Sequence, residues 1–132
     1  MLGNFQQSQL RIELEADGKA IADSLLKSVE LRQWMSPQTI LGNLPDTLAM
    51  GTVFTSKLGL IEIEHKVEKA DDNSLLLLLS GGIDGYHEWY WGDGWVQSRL
   101  EGVSLLPLNL GQTLSLLRLR QHIESKVAKT AA

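Results

Sequence analysis

The residues of this sequence best placed to do chemistry are two histidines and the aromatic run around one of them. His65 falls on the apolar side of an alternating segment, in register with Ile61, Ile63 and Val67, while Glu62, Glu64, Lys66 and Glu68 take the other side. An imidazole in that position is a polar group inside a cavity, able to orient a ligand carbonyl or move a proton near neutral pH. The alternative is a core histidine bonded to a neighbouring group. His87 shares a strand face with Trp89 and Trp91. Apolar ligand pockets are lined by aromatics with a few placed polar groups, and a plain core uses the same tryptophans to bury area.

The pairing of that aromatic strand follows from Gly92-Asp93-Gly94, which sits between two runs rich in aromatic and β-branched residues. Asp93-Gly94 is expected to be a two-residue type I′ turn, with φ > 0 at both central residues. Trp91 then pairs with Val96, Trp89 with Ser98 and Glu88 with Arg99. His87, Trp89, Trp91, Val96, Ser98 and Leu100 form the inner face. Tyr86, Glu88, Tyr90, Gln97, Arg99 and Glu101 form the outer one, with Glu88–Arg99 expected as a solvent-facing cross-strand ion pair. A three-residue loop would shift every neighbour by one.

Other chemistries lack their residues. There are no cysteines, which removes disulfides, thiol nucleophiles and cysteine-ligated metals. His65 and His87 find no third ligand at a plausible spacing, so neither a metal nor a cofactor is expected. No Gly-x-Ser-x-Gly elbow or phosphate-cradling loop precedes a helix. With 12 Lys and Arg against 16 Asp and Glu, scattered and summing to −4, no basic face is available for nucleic acid. The longest aliphatic run, Leu75 to Leu79, is far below the roughly 20 residues of a membrane helix. Met1 to Gln9 lacks the regions of a signal peptide. The expectation is a single domain spanning residues 1–132, without membrane insertion and cytoplasmic.

The elements that position these groups can be placed in order. Ser8 to Glu15 alternates as a first strand, with Leu10, Ile12 and Leu14 on one face. Asp17 caps a helix carrying Ile21, Leu25, Leu26 and Val29. A second short helix, about Glu30 to Met35, carries Leu31 and Trp34 and stops at Ser36-Pro37. Gln38 to Leu44 reads as a loop. Strands follow at Thr47 to Thr55 and Leu60 to Lys69, turning through Ser56 to Gly59. Leu75 to Leu79 is apolar on both faces, which fits an inner strand or a possible homodimer contact. Gly81-Gly82 allows a bend.

The last element, Leu108 to Val127, is a long helix with Asn109 as its expected N-cap. Leu116, Leu119, Ile123 and Val127 line one stripe, and Leu110, Leu114 and Leu117 a second. Ser115, Arg118, His122, Ser125 and Lys126 form a narrow polar arc, with His122 expected in solvent. Ala128 to Ala132 reads as a frayed tail. A helix so widely apolar must be wrapped, and the preceding segments are mostly strand. The fold class is therefore α+β, a curved antiparallel β-sheet around a long C-terminal α-helix, with two short helices after the first strand.

With this order, the chain resembles the START-like (SRPBCC) superfamily, which includes the Bet v 1, polyketide cyclase and lipid-transfer proteins. The likeness lies in the Leu10-Arg11-Ile12-Glu13-Leu14 strand, the helix running into Leu31-Arg32-Gln33-Trp34, Gly92-Asp93-Gly94, and the Leu114-to-Ile123 helix. It implies the helix-grip fold and a deep cavity between sheet and C-terminal helix, usually holding a hydrophobic small molecule. Members range from carriers to cyclases and chaperone activators. A hydrophobic or aromatic ligand is thus expected, contacted by Trp34, Trp89, Trp91 and Leu114 and oriented by His65, His87 and Ser98. The Trp34–Leu44 segment and the turn between the second and third strands would close the cavity. A cyclase- or dehydratase-like enzyme using a cavity histidine is the second expectation. A protein-interaction module using Tyr86 and Tyr90 on the outer sheet face is the third.

Overall fold

The computed structural model describes residues 3–35 and 37–131. The chain runs β1 (Asn4–Glu13), α1 (Gly18–Leu26), α2 (Ser28–Trp34), β2 (Thr39–Leu41), β3 (Val53–Leu58), β4 (Ile61–Ala70), β5 (Ser74–Gly81), β6 (Ile83–Gly92), β7 (Trp95–Ser104) and α3 (Leu108–Ala131). All seven strands form one antiparallel sheet in the order β1-β7-β6-β5-β4-β3-β2. Two short helices follow the first strand, and the curved sheet holds the long terminal helix. The fold class is that expected from the element order.

Register in the β6–β7 hairpin is as the turn predicted, with Trp91 opposite Val96, Trp89 opposite Ser98 and Glu88 opposite Arg99. The turn type differs. Gly94 is left-handed at φ +82°, but no residue other than glycine has positive φ among the described residues, so Asp93 does not complete a type I′ turn. Contacts with the β1–α1 connection account for this. Asp93 Oδ1 accepts from the Gly18 amide at 2.7 Å, the Gly94 amide donates to the Ala16 carbonyl, and the Leu14 amide donates to the Gly94 carbonyl. The turn is thereby fastened to the entry of α1, whose own first turn is capped by Asp17 accepting from the Ala20 amide at 2.8 Å.

The expected Glu88–Arg99 ion pair is replaced by neighbours along each strand. Arg99 reaches Glu101 at 3.2 Å and lies over the Tyr86 ring, while Glu88 accepts from the Tyr90 hydroxyl. These contacts run along each strand on the outer face of the sheet rather than across it.

Boundaries shift where polar residues interrupt the hydrophobic pattern. Residues 39–41, expected as loop, form β2 at the sheet edge, paired with β3. β3 starts at Val53 and continues through Ser56, expected in a turn, to Leu58; the chain reverses at Gly59, φ +61°. Ser56 is fully buried, so Phe54 and Ser56 keep the inward period of the strand. Ser36, the expected stop of the second helix, lies outside the described residues. On β5, Leu75, Leu77 and Leu79 are buried on the inner face and Leu78 is exposed on the outer, in the middle of the sheet. Pairing with β4 shifts between Val67 and Lys69, a bulge that bends the strand.

α3 departs most from its expected form. Asn109 is inside the helix, and its side-chain amide donates to Ser8 Oγ at 2.7 Å. The first turn is held by Gln6 on β1, whose Oε1 accepts from the Leu108 amide at 3.0 Å and whose Nε2 donates to the Leu106 carbonyl at 2.8 Å. The helix runs on through the segment expected to fray, up to Ala131; Ala132 lies outside the described residues. One buried line, Leu108, Gln112, Leu116, Leu119 and Ile123, packs on the sheet and on the short helices. The second stripe is not wrapped: Leu110, Leu114 and Leu117 are 56%, 51% and 44% exposed. His122, expected in solvent, is mostly buried and bonds Glu30 of α2 at 2.9 Å, where Lys126 also reaches the same carboxylate.

The two stripes are distinguishable by stability. Leu119→Ala is expected to cost about 3 kcal/mol in urea unfolding, the usual range for a buried leucine. Leu117→Ala should stay within about 0.5 kcal/mol, as for an exposed position.

Candidate functional site

Between the inner sheet face, α2 and the first turns of α3 lies a cavity of about 260 Å³. Its floor is aliphatic, formed by Ile63, Leu75, Leu77, Leu79 and Leu100. Trp34 and Met35 close one side, and Leu106 to Leu108, Leu110 and Leu114 form the α3 side. The polar lining groups are Gln38, His65, His87, Gln112 and Ser115, and among the described residues no Asp, Glu, Lys or Arg is in the wall. Among the described residues, no group of three or more His, Cys, Asp or Glu side chains could hold a metal ion.

The alternation of β4 brings His65 to this wall, where its ring stacks on Phe54 of β3 with centroids 4.5 Å apart and planes 4° from parallel. Nε2 is 2.9 Å from Ser56 Oγ, and Ser56 in turn donates to Gln38 Oε1 at 2.8 Å. Nδ1 is buried without a hydrogen-bond partner. Burial in these apolar surroundings pushes the imidazole pKa down to about 4.

His87 stands on β6, its ring tilted against Trp89 with centroids 4.5 Å apart. Its Nε2 is 2.7 Å from Ser98 Oγ on β7. Behind Ser98 is Gln112, a buried side chain reaching across from α3. Gln112 Nε2 donates to the Ser98 carbonyl and hydroxyl, each at 3.0 Å, and to the Ser8 carbonyl at 3.2 Å. Its Oε1 accepts from Ser8 Oγ. Burial first, and the nearby His65 second, push the His87 pKa down to about 3.

The remaining residues singled out in the sequence are dispersed around this centre. Trp34 and Trp89 both line the cavity and meet edge to face at 5.9 Å, with Trp34 Nε1 donating to the Ser24 carbonyl at 2.7 Å. Leu114 stands half-exposed at the mouth. Ser98 lies behind His87, as its support. Trp91 faces the same side but is outside the lining, because two residues further along β6 it is covered by α1. Ser56, Gln38 and Gln112 were missed. Gln112 could have been found, since it falls four residues after Leu108 and four before Leu116 on the buried helical line. Ser56 follows Phe54 by two, the same kind of signal.

No protein-family model matches the chain, and no curated protein matches it. Its likeness is to solved structures, and it shows the fold alone: a curved antiparallel sheet holding a long C-terminal helix. Protein CV1439 from Chromobacterium violaceum superposes with a TM-score of 0.72 at 14% identity, covering 89% of this chain and 97% of the other. The Aha1 dimer from Colwellia psychrerythraea gives 0.66 at 16% identity, with 90% and 96% covered. Norcoclaurine synthase from Thalictrum flavum, in complex with dopamine and hydroxybenzaldehyde, gives 0.61 at 14% identity, with 96% and 88% covered. No helix of the described residues is long and apolar enough to cross a membrane.

The two depressed histidines predict a pH dependence of stability. As pH falls through 6.5 the unfolded chain takes up a proton at each imidazole, whereas the folded chain does so only near 4 and 3. Their contribution is complete above 6.5 and declines below it, by up to about 1.4 kcal/mol per pH unit for each histidine. Despite its burial, Glu30 is held below the usual 4.5 by bonds from Lys126 and His122, and so acts at lower pH. Urea unfolding between pH 7.5 and 5 should show this decline, and His87→Gln should remove about half of it.

Proposed function

We propose that this protein binds a hydrophobic or aromatic small molecule in the cavity between sheet and α3, without covalent chemistry. The observation that carries the reading is the wall itself: an aliphatic and aromatic enclosure with a few placed polar groups and no charged side chain. Trp34, Trp89 and Leu114 supply apolar contact, and His87, braced by Ser98, supplies orientation. At about 260 Å³ the space sits just below the roughly 300–1,000 Å³ of drug-sized ligand sites, so it suits one or two rings rather than a long acyl chain. The norcoclaurine synthase neighbour, solved with two small aromatic molecules, supports a ligand of that size.

An enzyme of the cyclase or dehydratase kind would use the same imidazoles as acid or base. General acid–base catalysis works best with a pKa near the operating pH, and values of about 4 and 3 make both rings weak bases. Orientation by a neutral imidazole is the use these surroundings favour.

Mass spectrometry of the purified protein, native and then denatured, should release a passenger of one or two rings. In parallel, indane titrated into the protein and followed by amide NMR shifts should bind at the cavity wall. Leu77→Trp, which fills the cavity from its floor, should abolish that binding while leaving the circular dichroism spectrum unchanged. A wild type that neither carries a passenger nor binds indane would sink the proposal.

A further inference from the structure

The polar chain behind the cavity decides which hydrogen His87 offers to a ligand. Gln112 Nε2 faces the carbonyl oxygens of Ser8 and Ser98, which can only accept, so this end of the amide is the donor. The same nitrogen donates to Ser98 Oγ. The Ser98 hydroxyl has one hydrogen, and its remaining partner is His87 Nε2 at 2.7 Å. Ser98 therefore donates to Nε2, which must carry its lone pair, and the neutral ring bears its proton on Nδ1. Among the described residues that Nδ1 meets no acceptor, and His87 lines the cavity, whereas Nδ1 of His65 is buried without a partner. His65 is bonded through Nε2 to Ser56 and covered by Phe54, so it belongs to the wall.

Resting on the cavity reading above, we infer that the ligand is a neutral molecule carrying an acceptor oxygen, of carbonyl or ether type, which receives a hydrogen bond from His87 Nδ1–H. Its neutrality follows from the wall. A carboxylate or phosphate would lose its water with no Lys or Arg to replace it, a cost far above that of one neutral hydrogen bond. The burial that depresses both imidazoles keeps them from acting as cations at neutral pH.

The inference is tested with three compounds of one skeleton: indane, 1-indanone and indane-1-carboxylate, titrated by NMR into the wild type and into His87→Phe. The affinity ratio of 1-indanone to indane should fall about fivefold in the variant, the equivalent of one neutral hydrogen bond. Indane-1-carboxylate should bind at least tenfold more weakly than 1-indanone to the wild type. An unchanged ratio, or a carboxylate that binds as well as the ketone, would overturn the inference while leaving the cavity reading intact. Failure of all three compounds to bind, together with the absence of a passenger on denaturation, would overturn both. Independently of any variant's folding, nitrogen-15 NMR of the wild-type His87 should show a protonated Nδ1 and a bare Nε2; the opposite tautomer refutes the assignment.

Discussion

Gln112 is a primary amide placed in the middle of the helix line that packs on the sheet, and its burial constrains the rest of the molecule. Left without partners there, it would cost about 1–3 kcal/mol. It is satisfied by Ser8 on β1 and Ser98 on β7, adjacent strands of the sheet. Sliding α3 by one turn would take the amide away from all of these partners. Aliphatic packing alone would tolerate several positions of the helix. The polar contacts select one of them, and with it the height of the cavity and the direction of the His87 ring.

Around that anchor, secondary fastenings repeat the pattern of a polar side chain from one element satisfying backbone of another. Gln6 on β1 holds the first turn of α3, Asp93 in the β6–β7 turn holds the entry of α1, and Arg32 on α2 reaches the carbonyls of Ile40 and Gly42 beside β2. Glu30 with His122 ties α2 to the far half of α3. These links matter for the cavity because α2 and the start of α3 are its movable-looking walls only in sequence; in three dimensions each is tethered at more than one point.

The chemistry of the site follows from what surrounds the two imidazoles. Each has one nitrogen occupied by a serine hydroxyl, and no carboxylate lines the cavity to stabilise a positive charge. Burial then favours the neutral form, so the rings serve as fixed dipoles. The Leu110, Leu114 and Leu117 stripe, exposed beside the mouth, extends the apolar character of the cavity to the surface.

Periodicity in the sequence was enough to define the strand and helix order, the inner face of the β6–β7 hairpin and the buried stripe of Leu116, Leu119 and Ile123, because these depend on local spacing and on the cost of exposing apolar area. It was also enough to bring His65 and His87 to the sheet's inner face. It could not separate the buried stripe of α3 from the exposed one, since both are leucines and only the position of the sheet distinguishes them. Polar residues that bond across the fold are not set apart by spacing, for the same reason: the buried Ser56 reads as a turn, the exposed Asn109 as a cap, and the buried Gln112 as nothing in particular. Their partners lie 9 to 104 residues away in the chain, so a hydrogen bond that fixes their meaning exists only after folding. Which serine each histidine bonds, and that Trp91 packs beside α1 rather than in the cavity lining, were decided by tertiary structure alone.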